Sequence, residues 1–242
     1  MNTEKQPQKH LWIDQMTSYD ALVAMLKNQG EAINAIQLAI REIEKATKLI
    51  VKNLLKFNQS RIIYIGAGTS ARIGVQDGVE LYPTFGWPKN RIDYVIAGGL
   101  SSLTQSIEGA EDNQNDAIKK IKKLNIIEGD IAIGLSASGN TPFVIEALKE
   151  AKSFGALTIG ICNNPNQKIQ KRTDVSITLD TGVEIIAGST RLKAGSAQKI
   201  CLNLISTLCM TKLGKVKDGL MINMVPTNKK LIKRMKIINA LK

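Results

Sequence analysis

"IIYIGAGTSARIG", residues 62–74, decides how the rest of this chain is read. Ile62, Ile63, Tyr64 and Ile65 form a β-branched and aromatic run, which predicts a buried strand. Gly66-Ala67-Gly68 turns the chain, Thr69 and Ser70 follow, and a helical stretch begins. A glycine turn between a strand and a helix exposes backbone N–H groups at the helix start, where an anion is favoured. A dinucleotide, a nucleoside triphosphate or a small phosphorylated metabolite could each supply that anion. The dinucleotide geometry also needs an acidic residue at the tip of the next strand. That strand, "IDYVIAGG", ends in Ala97-Gly98-Gly99 and carries Asp93 at its start instead. The Walker pattern G-x-x-x-x-G-K-[ST] is absent. A small phosphorylated metabolite remains, beside the plainer reading that Thr69 and Ser70 only cap the helix.

The same alternation continues along the chain. Strands are predicted near 61–66, 92–97, 130–135, 157–162 and 175–179. Helices are predicted near 70–82, 141–154 and 189–213, with one or two more between 102 and 125. The strands are short, apolar on both faces and rich in Ile and Val, the pattern of a parallel sheet covered by helices. The fold expected is a doubly wound α/β sandwich with a five-stranded parallel sheet. Ahead of it, a helix over 18–28 ending near Gly30 leads into a long amphipathic helix over 31–57. Ile33, Ile36, Ile40, Ile43, Ile50 and Leu54 mark its stripe. Residues 1–57 thus read as an N-terminal arm with helices, and 58–242 as the sheet domain, together one structural unit.

Bulk properties narrow the function classes. The 242 residues are 43% hydrophobic and 22% charged, as in an ordinary globular protein. The polar start and the lack of an apolar run of about 20 residues predict a cytoplasmic protein that neither spans nor binds a membrane. One histidine, His10, and three cysteines leave little for a zinc site or a Ser-His-Asp triad. The formal charge of +12 lies partly in "KKIKK" (119–123) and "KKLIKRMK" (229–236). With 4% aromatic residues and no helix-turn-helix pattern, these read as solvated faces that attract anionic metabolites, not as a nucleic-acid surface.

A second stretch sharpens the ligand. "IAIGLSASGNTPFVIEAL" (131–148) again runs strand, turn, helix, with Ser136, Ser138 and Thr141 around Gly139. Hydroxyls and free N–H groups at a helix start can together surround a phosphate. If the first and third strands are neighbours, this loop and Thr69-Ser70 meet in one crevice at the switch point of the sheet.

The paired "GxGTS" and "SxSGxT" loops resemble the sugar isomerase (SIS) domain, and within it the N-acetylmuramic acid 6-phosphate etherases. The resemblance runs through "IIYIGAGTSARIGVQDGVELYPTFG" (62–86), "AGG…SIEGAEDN" (97–113), "SASGNTPFVIEALKEAKSFG" (136–155) and "GVEIIAGSTRLKAGSAQK" (182–199). Thr3-Glu4, Ile13-Asp14 and the tail "GLMINMVPTNKKL" (219–231) extend it over nearly the whole chain. Pro7, His10 and "DGVELYPT" depart from the family pattern, and a small C-terminal helical domain is expected to be missing.

The resemblance implies a flavodoxin-like strand order and a cofactor-independent lyase. It would split the lactyl ether of N-acetylmuramic acid 6-phosphate into N-acetylglucosamine 6-phosphate and D-lactate. One group removes the C2 proton of the ring-opened sugar, another protonates the departing lactate oxygen, and water adds across the C2–C3 double bond. With one histidine in the chain, such acid–base work falls to carboxylates. The resemblance assigns Glu80 as acid and Glu111 as base. The apolar "GVELYPTFG" predicts a buried Glu80, whose carboxyl would be pushed up as an acid needs. Glu108 and Asp112 flank Glu111 as alternative bases. Thr69, Ser70, Ser136, Ser138 and Thr141 are expected to bind phosphate. Ser189 is predicted to cap the following helix, Arg191 and Lys193 to meet ligand phosphate or carboxylate, and Glu184 to touch the sugar. A homodimer is expected, with its sites near the interface. A phosphosugar isomerase and a non-catalytic phosphosugar-binding regulator are the alternatives.

Overall fold

In the computed structural model, residues 1–226, 231–233 and 235 are described. Helices α1 (Ser18–Leu38) and α2 (Ile40–Lys56) precede the alternating part. That part runs β1 (Ile62–Gly66), α3 (Gly68–Phe85), β2 (Ile92–Ile96), α4 (Gln114–Lys123), β3 (Ile131–Ser136), α5 (Pro142–Ser153), β4 (Leu157–Cys162), β5 (Val175–Thr178) and α6 (Lys193–Lys212). A two-stranded hairpin, β6 (Val216–Lys217) and β7 (Leu220–Met221), follows.

The five main strands are all parallel, in the order β2-β1-β3-β4-β5. This is the expected flavodoxin-like order, and β1 and β3 are neighbours. Successive side chains point to opposite faces, so each strand feeds two cores. Ile62, Tyr64, Ile131, Ile133, Ile159 and Ile161 join α1, α2, α3 and α6 on one face. Ile63, Ile65, Val95, Ala132 and Cys162 join α4 and α5 on the other. The chain leaves β1 through α3 on the first face and leaves β3 through α5 on the second. The crevice between β1 and β3 is therefore the switch point where such sheets bind ligands. Gly66 stands in register with Leu135, so the two hydroxyl loops leave the sheet side by side.

Three element boundaries differ from expectation. The break near Gly30 does not occur; α1 runs through that exposed glycine to Leu38. A mid-helix glycine costs only about 1 kcal/mol, and buried Ala32, Ala35 and Ile36 lie beyond it in α1. The chain turns at buried Ala39 instead, which exposes Ile33 and Ile40 and leaves Ile36, Ile43, Ile50 and Leu54 inside. Between 100 and 112 there are only short 3-10 turns, and the helix proper starts at Gln114, capped by the Asn113 side chain. α6 begins at Lys193 rather than 189. The Lys119–Lys123 run is a solvated face of α4: Ala117 and Ile121 are buried, Lys120 pairs with Asp116, and Lys122 with Glu150. Residues 227–230, 234 and 236–242, which hold four of the five basic residues of the second run and part of the 219–231 motif, lie outside the described residues.

Candidate active site

Gly66 lets the first loop form. A Cβ there would lie 2.7 Å from the backbone nitrogen of Ala71, so the first turn of α3 can fold back over the strand end only above a glycine. α3 then starts at Gly68 with no side-chain cap and no acidic residue in its first turn. Thr69 and Ser70 sit on that open helix start, and their hydroxyls cap nothing. The helix dipole adds to the attraction for an anion.

The second loop is a knot of hydroxyls. Ser136 Oγ lies 2.8 Å from Thr141 Oγ1 and 3.3 Å from Ser138 Oγ. Gly139 N–H donates to Ser136 Oγ at 3.0 Å, and Asn140 N–H to Ser138 Oγ at 3.1 Å. Thr141 is the N-cap residue of α5, yet its side chain caps nothing. Three hydroxyls and adjacent amides thus face one another at the start of α5, a donor set suited to a phosphate.

A cavity of about 320 Å³ opens beside the first loop, lined by Gly68, Thr69, Arg72, Ala97, Ser102, Glu108 and Glu111 among others. Glu111 is exposed on the turn Ala110–Asp112. Arg72 fixes the approach to it, donating to the carbonyls of Ser102 (2.9 Å), Leu103 (3.0 Å) and Gln105 (3.3 Å). Thr69 and Glu111 therefore share one cavity, whose wall also holds the alternative base Glu108. Glu80 is not in it. It is exposed, because Asp77, Gly78 and Leu81 take the inward positions of α3. The expected apolar burial of Glu80 does not occur within one chain.

The 184–195 stretch holds the largest departures. Ser189 does not cap α6, whose N-cap position is Leu192. Glu184 does the work from a distance: it accepts from Ala194 N at 2.9 Å and Lys193 N at 3.2 Å. Glu184 is fully buried, both oxygens are engaged in this cap, and no sugar contact is needed to explain it. Burial pushes its carboxyl above the ordinary range, against the pull of those two amides and the Lys193 ammonium. Lys193 is fully buried too, and its ammonium pairs with Glu31 of α1. Arg191 is exposed and, among the described residues, pairs with no acid. Gly195 presses against Thr69: a Cβ there would lie 3.4 Å from Thr69 Cγ2. The start of α6 thus backs directly onto the first loop.

Residues 42–152 match the family model described as the glucokinase regulatory protein N-terminal SIS domain, and residues 111–207 match the SIS domain model. The chain is 45% identical to an N-acetylmuramic acid 6-phosphate etherase of Shouchella clausii, over 98% of this chain and 80% of that protein. It is 44% identical to the enzyme of the same name from a Geobacillus strain, with the same coverage. The chain belongs to the N-acetylmuramic acid 6-phosphate etherase family. Among solved structures, the phosphoheptose isomerase of Neisseria gonorrhoeae superposes with a TM-score of 0.57 at 21% identity, covering 82% of this chain and all of that one. The C-terminal domain of a Francisella tularensis glucosamine-fructose-6-phosphate aminotransferase gives 0.55 at 20% identity, covering 94% of this chain and 54% of that one. These two likenesses concern the fold.

Some members of the site's frame carry no motif in this etherase-family chain. Asn163 is buried, donates to the carbonyls of Leu179 and Ala194 at 3.2 Å, and accepts from Gln198. It ties the ends of β4 and β5 to α6. Asp77 is buried and accepts from Tyr64 Oη (2.8 Å), Asn203 Nδ2 (2.8 Å) and Ser206 Oγ (3.0 Å), locking α3 to β1 and α6. The one signal in the sequence is polar residues directly after an apolar strand, as in "IGICNNPN". Among the described residues, no group of three or more His, Cys, Asp or Glu is placed to hold a metal ion, and no helix is long and apolar enough to cross a membrane.

Proposed function

We propose that this chain is an N-acetylmuramic acid 6-phosphate etherase, releasing D-lactate and N-acetylglucosamine 6-phosphate by acid–base elimination and hydration. The observation that carries the reading is the cavity shared by Thr69, on the loop that leaves β1 beside the switch point, and Glu111, in a chain 45% identical to a named etherase. In this reading Thr69, Ser70, Ser136, Ser138 and Thr141 hold the 6-phosphate. That leaves the sugar lying toward Glu111, which removes the C2 proton. Ser189 and the guanidinium of Arg191, which pairs with no acid among the described residues, stand near the start of α6, which backs onto Thr69, so they flank the same ligand. Lys193 and Glu184 act as frame: one anchors α1, the other caps α6.

Glu80 supplies the proton to the departing lactate, and it does so from a second copy of the chain. From Thr69 to Glu80 along α3 is about 16 Å at 1.5 Å per residue. That exceeds the distance from the phosphate to C3 of a hexose 6-phosphate. Glu80 lies one turn beyond Asp77, whose carboxylate bonds Asn203 in the wall of an apolar groove. The groove, about 750 Å³, runs between α2 and α6 and shows Ile40, Ile43, Ile200, Leu204 and Leu208. Two copies pairing there would carry each Glu80 toward the other's site.

The test is exchange of the C2 hydrogen in heavy water, followed by NMR beside a lactate assay. Glu80→Gln is expected to exchange C2 without releasing lactate, and Glu111→Gln to do neither. General acid–base groups contribute about 10²–10⁴-fold, well above background. Near-normal lactate release by both variants would overturn the two assignments.

A further inference from the structure

The first residues of this chain are pinned into its interior. Thr3 is completely buried. Its backbone N–H donates to Asn164 Oδ1 at 3.2 Å, and Asn164 Nδ2 donates back to Thr3 Oγ1 at 3.0 Å. Asn164 is itself fully buried. The same Asn164 Nδ2 donates to the carbonyl of Ala137 at 2.9 Å. Ala137 sits between Ser136 and Ser138 in the hydroxyl loop. On its other side, the Thr3 carbonyl accepts from Gly188 N–H at 2.9 Å, one residue before Ser189. One threonine at the N-terminus thus touches the loop after β4 and the loop before α6, and through Asn164 the loop after β3.

We propose that Thr3 and Asn164 are positioning residues for substrate binding, a clasp through which the N-terminal segment holds the Ser136–Thr141 loop in its phosphate-binding shape. The loop's three hydroxyls converge only while the Ala137 peptide is held in place. Ala137 O is fixed by two donors, Asn163 N–H at 3.0 Å and Asn164 Nδ2. The second donor is aimed by Thr3: without the hydroxyl and amide of Thr3, the Asn164 carboxamide loses both partners on that side and is free to turn. Shape and chemistry at Thr3 are both specific. A hydroxyl is needed to accept from Asn164, and full burial leaves no room for a longer polar side chain. The proposal rests on the reading that the 136–141 loop binds the sugar phosphate.

The experiment compares four variants in the full chain: Thr3→Val, Thr3→Ser, Asn164→Ala and Ser138→Ala. Each is assayed for KM and kcat with N-acetylmuramic acid 6-phosphate, and by calorimetry for its affinity for glucosamine 6-phosphate. Thr3→Val keeps the shape of the buried side chain, and Asn164→Ala removes the clasp from the other side should one of the two fail to fold. Loss of the Thr3–Asn164 hydrogen bond in Thr3→Val, or of the Asn164–Ala137 bond in Asn164→Ala, is expected to weaken glucosamine 6-phosphate binding and raise KM roughly tenfold. kcat is expected to stay within about threefold, and Thr3→Ser to restore parental binding. A latch that only stabilises the fold would instead lower the melting temperature and leave KM unchanged. If Ser138→Ala weakens binding while Thr3→Val and Asn164→Ala bind like the parent, the clasp is wrong and the phosphate loop stands. If Ser138→Ala leaves binding unchanged, the phosphate reading of the loop fails, and the clasp proposal falls with it.

Discussion

Gly66 shows how much a single position can settle. Replacing it with alanine puts a methyl group 2.7 Å from the backbone of Ala71, with no flexible side chain to give way. Overpacking of this kind costs about 1–3 kcal/mol. Here it would also push the start of α3 off the strand end, moving Thr69 and Ser70. Gly66→Ala is expected to lower the unfolding free energy by that amount in urea titration and to weaken sugar-phosphate binding. Gly78→Ala, a helix glycine packed against the Tyr64 and Tyr94 rings away from the loop, is expected to cost stability while the folded protein keeps its affinity. Equal losses of binding in the two variants would contradict the assignment of the loop. At this scale the sequence was legible where a pattern repeats: both glycine turns followed by hydroxyls fall between a strand and a helix, as read. It was misleading where a charged residue is used for architecture. Lys193 and Glu184 look like ligand contacts in "GVEIIAGSTRLK", and nothing local says that Glu31, more than 150 positions away, takes the lysine. The apolar neighbours of Glu80 suggest burial, but the 3.6-residue period turns Glu80 outward while Asp77 turns inward.

Elements were legible by type and less so by boundary. All five strands and the helices after β1, β3 and β5 follow from apolar runs and glycine turns. The α1–α2 corner at Ala39 does not, because no breaker residue marks it and packing fixes it. The edge of the sheet depends on a polar fastening. Asp174 precedes β5; its carboxylate accepts from Thr158 N–H (2.9 Å) and Thr158 Oγ1 (2.7 Å) on β4 and pairs with Lys152 of α5 at 2.5 Å. Burial alone would raise its carboxyl, but the Lys152 and Thr158 contacts outweigh it and hold it below the ordinary value. The folded state therefore binds this proton less readily than the unfolded chain. The resulting stability is present above the unfolded carboxylate value of about 3.9 and is lost as pH falls through the folded one. Asp174→Asn is expected to be less stable than the parent at pH 7, on the order of 1 kcal/mol given its partial exposure. The gap should narrow between pH 7 and an acid pH below the folded carboxyl's value. Denaturant titrations at the two pH values measure it; a gap that stayed constant or widened in acid would show that the charge of Asp174 is not what fastens the edge.

At the scale of the whole molecule, two chains complete each site in the proposed reading. Thr69 and Glu111 share a cavity, while Glu80 faces outward and does not line it. The sequence makes both carboxylates visible through the family resemblance, but it holds no signal for which copy of the chain serves which site. If pairing is two-fold and Glu80 acts across it, two dead variants can rescue each other. Glu80→Gln and Glu111→Gln, mixed and reassembled at equal amounts, should recover about a quarter of parental lactate release, since half the pairs are mixed and each has one intact site. No recovery, with mixed pairs verified by mass, would place Glu80 and Glu111 in the same chain's site. The most direct measurement of the central claim is simpler. The purified, unaltered chain is incubated with N-acetylmuramic acid 6-phosphate, and D-lactate and N-acetylglucosamine 6-phosphate are quantified together. An etherase releases the two in equal amounts, with one solvent hydrogen fixed at C2. Exchange or isomerisation of the sugar with no lactate formed would contradict the account and leave a phosphosugar isomerase, and binding with neither would leave a phosphosugar-binding regulator.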